Sequence, residues 1–194
     1  MARLTQKERR AQLAELTLSI IAKKGLRKFT ISELASEAGI AEGTVFRHFR
    51  SKEEIVESAI SRMEEVLFES FPPQSSDPIE RLGVFFQQRL KLVSSNANIA
   101  ALVFSNQLLH ASGVAGGARV LKMRYRSRAF VMECLREAKK KGLIKKNILP
   151  EHLFFVVHGS LASMVSASLD SQEMVTKPPK PKQLWATLEK LIRR

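Results

Sequence analysis

Cysteine, tryptophan and tyrosine each occur once in the 194 residues. The single thiol, Cys134, excludes an internal disulfide and fits a reducing compartment. Long apolar runs are missing as well. The most apolar stretch, Leu153 to Leu169, is broken by His158 and four serines, and a membrane-spanning helix needs roughly 20 apolar residues. No apolar segment follows the charged start MARLTQKERR, so no targeting segment is read there. These absences describe a soluble, cytoplasmic chain without a membrane partner. Enzyme chemistry is missing too. His152 and His158 stand six apart and do not share a helix face as metal ligands four apart would. GVAGG is not followed by GK[ST] and is no phosphate loop. Cys134 lies in a helical apolar pattern with no histidine nearby and reads as a buried thiol. No catalytic residue, metal or cofactor is expected.

Acidic side chains are also short. There are 19 Asp and Glu against 32 Lys and Arg, a formal net charge of +13. Such a surplus points to anionic partners. It does not locate them: residues 1–54 hold 11 basic against 7 acidic side chains, and residues 55–194 hold 21 against 12.

What the chain does have is helical periodicity almost throughout, so the fold class read from it is all-α. Three capping boxes punctuate the first third: Thr5 to Glu8, Thr30 to Glu33 and Ser51 to Glu54. In each, a side-chain oxygen meets an orphan backbone N–H and the glutamate answers back. Helices are predicted from about Gln6 to Lys24, Ile31 to Ala38 and Glu42 to Phe49, with a fourth from Ser51 that fades near Phe71. Pro72-Pro73 breaks the chain. Asp77-Pro78 then reads as a cap and first helical residue. Further helices are predicted over 78–94, 98–110, 118–141, 150–169 and 183–193, about nine in all. SGVAGG, Ser112 to Gly117, is read as a loop.

The second and third helices are too short to be stable alone. Joined by a glycine turn between two longer helices, they form a helix-turn-helix unit. Leu34, Ala35 and Ala38 face Ile40, Val45 and Phe49. That leaves Thr44, Phe46, Arg47 and His48 outward or sideways, on a wedge suited to a major groove about 12 Å wide.

TISELASEAGIAEGTVFRHFRSKEEI resembles the DNA-binding signature of the TetR family of bacterial transcriptional regulators. The Ala-Gly-Ile turn, Gly43-Thr44, His48-Phe49 and Lys52-Glu53 carry the likeness, which spans roughly Thr5 to Ile60. The resemblance implies a helix-turn-helix DNA-binding domain over 1–54 and a helical ligand-binding and dimerisation domain over 55–194. It implies phosphate contacts for Thr30 and Lys52, which stand at helix N-termini. Thr44 and Arg47 are placed for phosphate or base edges. Glu42 is placed for a cytosine amino group, or simply complements the helix dipole. Gly43 allows close approach of the backbone. His48 anchors to phosphate or packs under the motif. Arg3, Lys7 and Arg10 add contacts from the first helix. Two positions depart from the family pattern: Ala41 removes a cap, and Phe46 lacks a tyrosine's hydroxyl.

In the family the last two helices pair across a dimer. Here Phe154, the small-residue stripe Gly159, Ala162 and Ser166, and Trp185, Leu188 and Ile192 are the candidates, since a helix apolar all round must be buried all round. A two-fold dimer would place its third helices about 34–36 Å apart on a palindromic operator. The family's small-molecule inducer, expected to be largely apolar, would lie among Phe85, Phe86, Leu102, Phe104, Leu108, Met123, Phe130 and Met132, residues that equally suit an ordinary core. Arg119 to Lys146, with 11 basic against 2 acidic side chains, reads as a solvated face. A weaker reading makes Arg119 and Lys122 a lid for an anionic inducer such as an acyl-CoA. The expectation is a ligand-responsive, homodimeric repressor at the bacterial nucleoid. The alternatives are a DNA-binding protein of this fold without an inducer, in a chromosome-associated role, or a helical enzyme or scaffold.

Overall fold

A computed structural model describes residues 4–104, 106, 108–109, 113–169 and 177–194. Among the described residues there are nine α-helices: α1 (Gln6–Lys24), α2 (Ile31–Ala38), α3 (Glu42–His48), α4 (Lys52–Phe68), α5 (Pro78–Ser95), α6 (Ala97–Phe104), α7 (Gly113–Lys140), α8 (Pro150–Leu169) and α9 (Pro181–Ile192). The only other regular element described is a 3-10 turn at Leu26–Lys28, apart from an isolated antiparallel bridge between Ile144 and Arg193. None of the described helices is long and apolar enough to cross a membrane.

The chain divides into two compact units, residues 1–69 with 98–124, and residues 70–97 with 125–194. In the first, α1 packs along α4. Leu13, Ala14, Leu18, Ile20 and Ile21 meet Ile55, Val56, Ala59, Ile60 and Met63, all buried. Phe29, Leu34, Val45 and Phe49 complete this core from the short elements between. The buried Thr17 hydroxyl is satisfied by the Leu13 carbonyl at 2.8 Å, one turn back.

In the second unit, α5 packs against α8 and α9. Leu82, Phe86 and Leu90 of α5, Val131 and Leu135 of α7, and Leu153, Val157 and Leu161 of α8 share one core with Trp185, Leu188 and Ile192 of α9. Asp77 caps α5 by accepting from the Ile79 N–H at 2.7 Å and pairs with Arg193 at 2.7 Å. Arg194 N–H donates to the Leu143 carbonyl at 2.9 Å, so the chain's last residues are tied into this unit.

Two expectations from the pattern change. Gly113 to Gly117 open α7 rather than form a loop; Ser112 lies outside the described residues. The reason shows at Gly117, where a Cβ would stand 2.9 Å from the Leu109 carbonyl oxygen. Glycine serves close approach inside a helix there, not a turn. The capping boxes are also only partly realised. Thr5 and Glu8 form the full reciprocal pair. Thr30 and Ser51 accept from Glu33 and Glu54 N–H at 3.2 Å each. The Glu33 carboxylate turns instead to Lys24, and Glu54 turns to Arg10 and to the Arg50 N–H. A glutamate prefers a cation or a better-placed N–H to its own cap when the tertiary fold supplies one.

Gly83 on α5 makes the second unit's tightest approach among the described glycines. A Cβ there would lie 2.4 Å from the Trp185 Nε1. Trp185 is buried and stacks on Phe86, with ring centroids 5.4 Å apart, so the indole has little room to move. Gly83→Ala should therefore destabilise the chain by about 1–3 kcal/mol despite alanine's better helix propensity. Chemical denaturation followed by Trp185 fluorescence checks this; a neutral or stabilising result contradicts the packing.

Candidate nucleic-acid interface

The wedge is built from α2, a turn and α3. Thr30 starts α2, and Gly39 ends it in the left-handed region at φ 64°, ψ 37°, which glycine adopts without a Cβ clash. The Gly39 N–H reaches back to the carbonyls of Ala35 and Ser36. Ala41 starts α3 with no side-chain cap. Seven residues cannot hold a helix by themselves, and α3 is held by what it buries. Val45 is 0% and Phe49 1% exposed.

Those two anchors fix which way the rest of α3 faces. Glu42, Gly43, Phe46 and Arg47 are exposed, Phe46 by 50%. Thr44 and His48 are half-buried at the edge of this face. Thr30, Lys7, Arg27, Lys28 and Arg50 are exposed elsewhere on the same unit. Sequence pattern does not single out Arg27, Lys28 or Arg50. Their closeness in the chain to the caps Thr30 and Ser51 is the signal that marks them. Arg3 lies outside the described residues.

Two basic residues expected at phosphate have other work. Arg10 donates to the His48 carbonyl, pairs with Glu54 at 2.9 Å and lies over the Phe49 ring at 4.2 Å. Its guanidinium is a brace between α1, the end of α3 and α4. The last carbonyls of a helix lack intrahelical donors, and a guanidinium supplies one while completing an ion pair. Lys52 donates to the Phe29 carbonyl and lies 5.4 Å from the Phe29 ring centre. An ammonium has three donors, so Lys52 ties the start of α4 to the residue before Thr30 with donors to spare.

His48 sits differently from either. Its Nδ1 is buried without a hydrogen-bond partner among the described residues. Burial first, then the charges of Arg9, Arg10 and Arg47, hold the imidazole below its ordinary pKa. These effects favour the neutral ring. This favours the packing role over the phosphate anchor in the free chain.

Residues 13–59 match the model of the tetR family of bacterial regulatory proteins. The HTH-type transcriptional repressor KstR2 of Mycobacterium tuberculosis is 33% identical over 88 residues, 44% of either chain. Residues 13–59 are thus similar to the DNA-binding region of the tetR family. The chain spans less than half the length of that curated relative. A longer match joins it to the nucleoid occlusion factor SlmA of Vibrio vulnificus, 26% identical over 162 residues, 77% of this chain and 79% of the other. The fold agrees with the solved ketosteroid transcriptional regulator KstR2 of Mycobacterium tuberculosis at a TM-score of 0.75 and 18% identity, covering 96% of this chain and 95% of that one. It also agrees with FadR from Bacillus subtilis in complex with stearoyl-CoA, at a TM-score of 0.65 and 19% identity, covering 93% and 95%.

Beyond the tetR-like wedge, the structure redistributes the remaining candidates. Trp185, Leu188 and Ile192 are 5%, 4% and 0% exposed within this chain's own second unit. Within this chain they are core, because α9 lays its apolar face on α5. Gly159 and Ser166 are exposed, while Phe154 and Ala162 are half-buried. Phe155 and Val156, which the pattern does not select, are exposed on α8 by 73% and 46%. Of the ligand candidates, Phe85 and Phe130 meet at 5.2 Å, whereas Phe86 turns to Trp185. Met132 lines an open groove of about 660 Å³ with Tyr125, Ala129 and Phe154. Leu102, Leu108 and Met123 are buried in the first unit. The side chain of Phe104 lies outside the described residues. Arg119 pairs with Glu64 at 2.6 Å and donates to Ser61 at 2.7 Å.

The His48 environment has a measurable sign. A histidine whose folded pKa lies below its ordinary 6.5 binds fewer protons folded than unfolded. Its share of stability is complete above that value and is lost as pH falls below it. Denaturation midpoints at pH 7 and pH 5.5 should therefore fall more in the natural chain than in His48→Gln. Equal falls in both would contradict the buried, neutral ring.

Proposed function

We propose that this chain is a ligand-responsive transcriptional repressor that binds a palindromic DNA operator as a homodimer. The observation that carries the reading is the exposed face of α3. Val45 and Phe49 are buried while Glu42, Gly43, Phe46 and Arg47 stand outward on a helix of seven residues. Such a face has the size and chemistry of a major-groove reader. DNA reading is assigned to residues 1–54, with Thr30, Lys52 and Lys7 near phosphate and Thr44 at the edge of the base-reading face. Regulation and dimerisation are assigned to residues 55–194.

The homodimer rests on α8. Its buried stripe, Leu153, Val157, Leu161 and Val165, faces this chain's own core. Phe155 and Val156 stand exposed beside it, with Gly159 and Ser166 also exposed along the helix. A face with two large apolar side chains and small residues suits a close helix-helix contact with a second copy. The dimer contact is thus placed on Phe155, Val156, Gly159 and Ser166, with Phe154 and Ala162 at its edge.

The repressor reading is supported by KstR2, named as a transcriptional repressor. A ligand with a long apolar part is supported by the stearoyl-CoA complex of FadR. The protein would act in the cytoplasm, on the nucleoid. One observation favours a second reading, a DNA-binding protein without an inducer: the longest of these sequence matches is to a nucleoid occlusion factor.

Fluorescence anisotropy with a duplex selected from genomic DNA tests the DNA assignment. Arg47→Ala should weaken binding by about 1–3 kcal/mol, and Lys52→Gln should lower the salt slope by about 1. Affinity unchanged in both variants across a salt titration would remove the assignment.

A further inference from the structure

The outward face of α3 has an apolar group at its middle. Around the helix, Glu42, Phe46, Gly43 and Arg47 follow one another over about 140°. Glu42 and Arg47 carry opposite charges at the two edges. Between them stands the Phe46 ring, 50% exposed. Among the described side chains of the first unit it is the one exposed aromatic group, whereas Phe29 and Phe49 are buried in that unit's core.

The fold does not account for a ring left outside. Val45 and Phe49 supply the burial that holds α3. A phosphate does not account for it either, because a phenyl ring has no donor for an oxyanion and does not repeat the contact of a tyrosine hydroxyl. The surface beside it is open. A Cβ at Gly43, three residues earlier and on the same face, would meet nothing within 4 Å.

The surrounding charge selects the occupant. Arg47 next to Phe46, and Lys7, Arg27, Lys28 and Arg50 on the same unit, are exposed. An apolar protein surface laid over this ring would have to desolvate such cations, whereas a duplex brings phosphates to them. In the major groove the unmodified base pairs present hydrogen-bond donors and acceptors and one apolar group, the 5-methyl of thymine.

We infer that Phe46 is a specificity-determining residue that packs on the 5-methyl group of a thymine in the major groove. This rests on the reading of α3 as the DNA-contacting helix and assigns that helix one base. The contact works by shape and desolvation without a hydrogen bond. It therefore separates thymine from uracil, which differs only by the methyl group.

The test uses the full chain and a duplex selected from genomic DNA, prepared once with thymine and once with uracil at every thymine position. Affinities are measured by fluorescence anisotropy at one salt concentration. Burying one methyl group is worth about fourfold in affinity, or about fifteenfold where two half-sites each bury one. The natural chain should prefer the thymine duplex by that factor, and single replacements should confine the loss to one position per half-site. Phe46→Ala and Phe46→Gln, at an exposed position, should fold normally by thermal unfolding and bind both duplexes alike. Phe46→Leu should keep part of the preference. Equal binding of both duplexes by the natural chain, or a preference retained in either Phe46→Ala or Phe46→Gln, overturns the inference, even if the other variant fails to fold. Duplex binding that falls in Arg47→Ala but ignores the methyl group keeps the DNA reading and removes this role of Phe46. A natural chain that selects no duplex at all removes both.

Discussion

The guanidinium of Arg10 holds three things at once: the last carbonyl of α3 at His48, the carboxylate of Glu54 on α4, and the face of Phe49. Its partners lie 38 and 44 residues along the chain. A seven-residue helix has almost no stability of its own, so its direction is set by such contacts together with the burial of Val45 and Phe49. Lys52 adds a second tie, from the start of α4 to the Phe29 carbonyl just before α2. The polar residues of this unit therefore divide by task. Some are committed to holding the wedge, and others, such as Arg47, stand outward on it.

That division matters for recognition, because phosphate contacts position a protein while contacts to base edges specify the sequence. A wedge fixed from behind presents Glu42, Gly43, Phe46 and Arg47 in one orientation, and little ordering is left to be done on binding. The absent cap at Ala41 and absent hydroxyl at Phe46 leave fewer polar groups on this face. The same logic runs through the second unit. There Trp185 closes on Gly83 and α9 completes the core.

Most of the helices were legible because their signals are local. Caps at Thr5, Thr30, Ser51 and Asp77, the left-handed Gly39 and the apolar spacing of α1 to α4 all act within a turn or two of chain. The inward-facing Val45 and Phe49 followed from their spacing of four. What local signals could not show was how long side chains would be spent. Arg10 and Arg119 look like free charges in the sequence, yet each finds a glutamate more than forty residues away. Glu33 and Glu54 look like capping partners, yet distant or neighbouring groups outbid the cap. Gly117 looks like a loop residue because close backbone approach leaves no trace in composition. Trp185, Leu188 and Ile192 looked available to a partner because a stripe does not say which chain will cover it.

The central claim is that the outward side of α2 and α3 meets DNA. Amide hydrogen exchange on the full chain, with and without a duplex selected from genomic DNA, tests it most directly. Protection on binding should be confined to residues 30–52 and the start of α1 in the first unit. Protection that instead concentrates on α5, α8 or α9, with residues 30–52 unchanged, would contradict it.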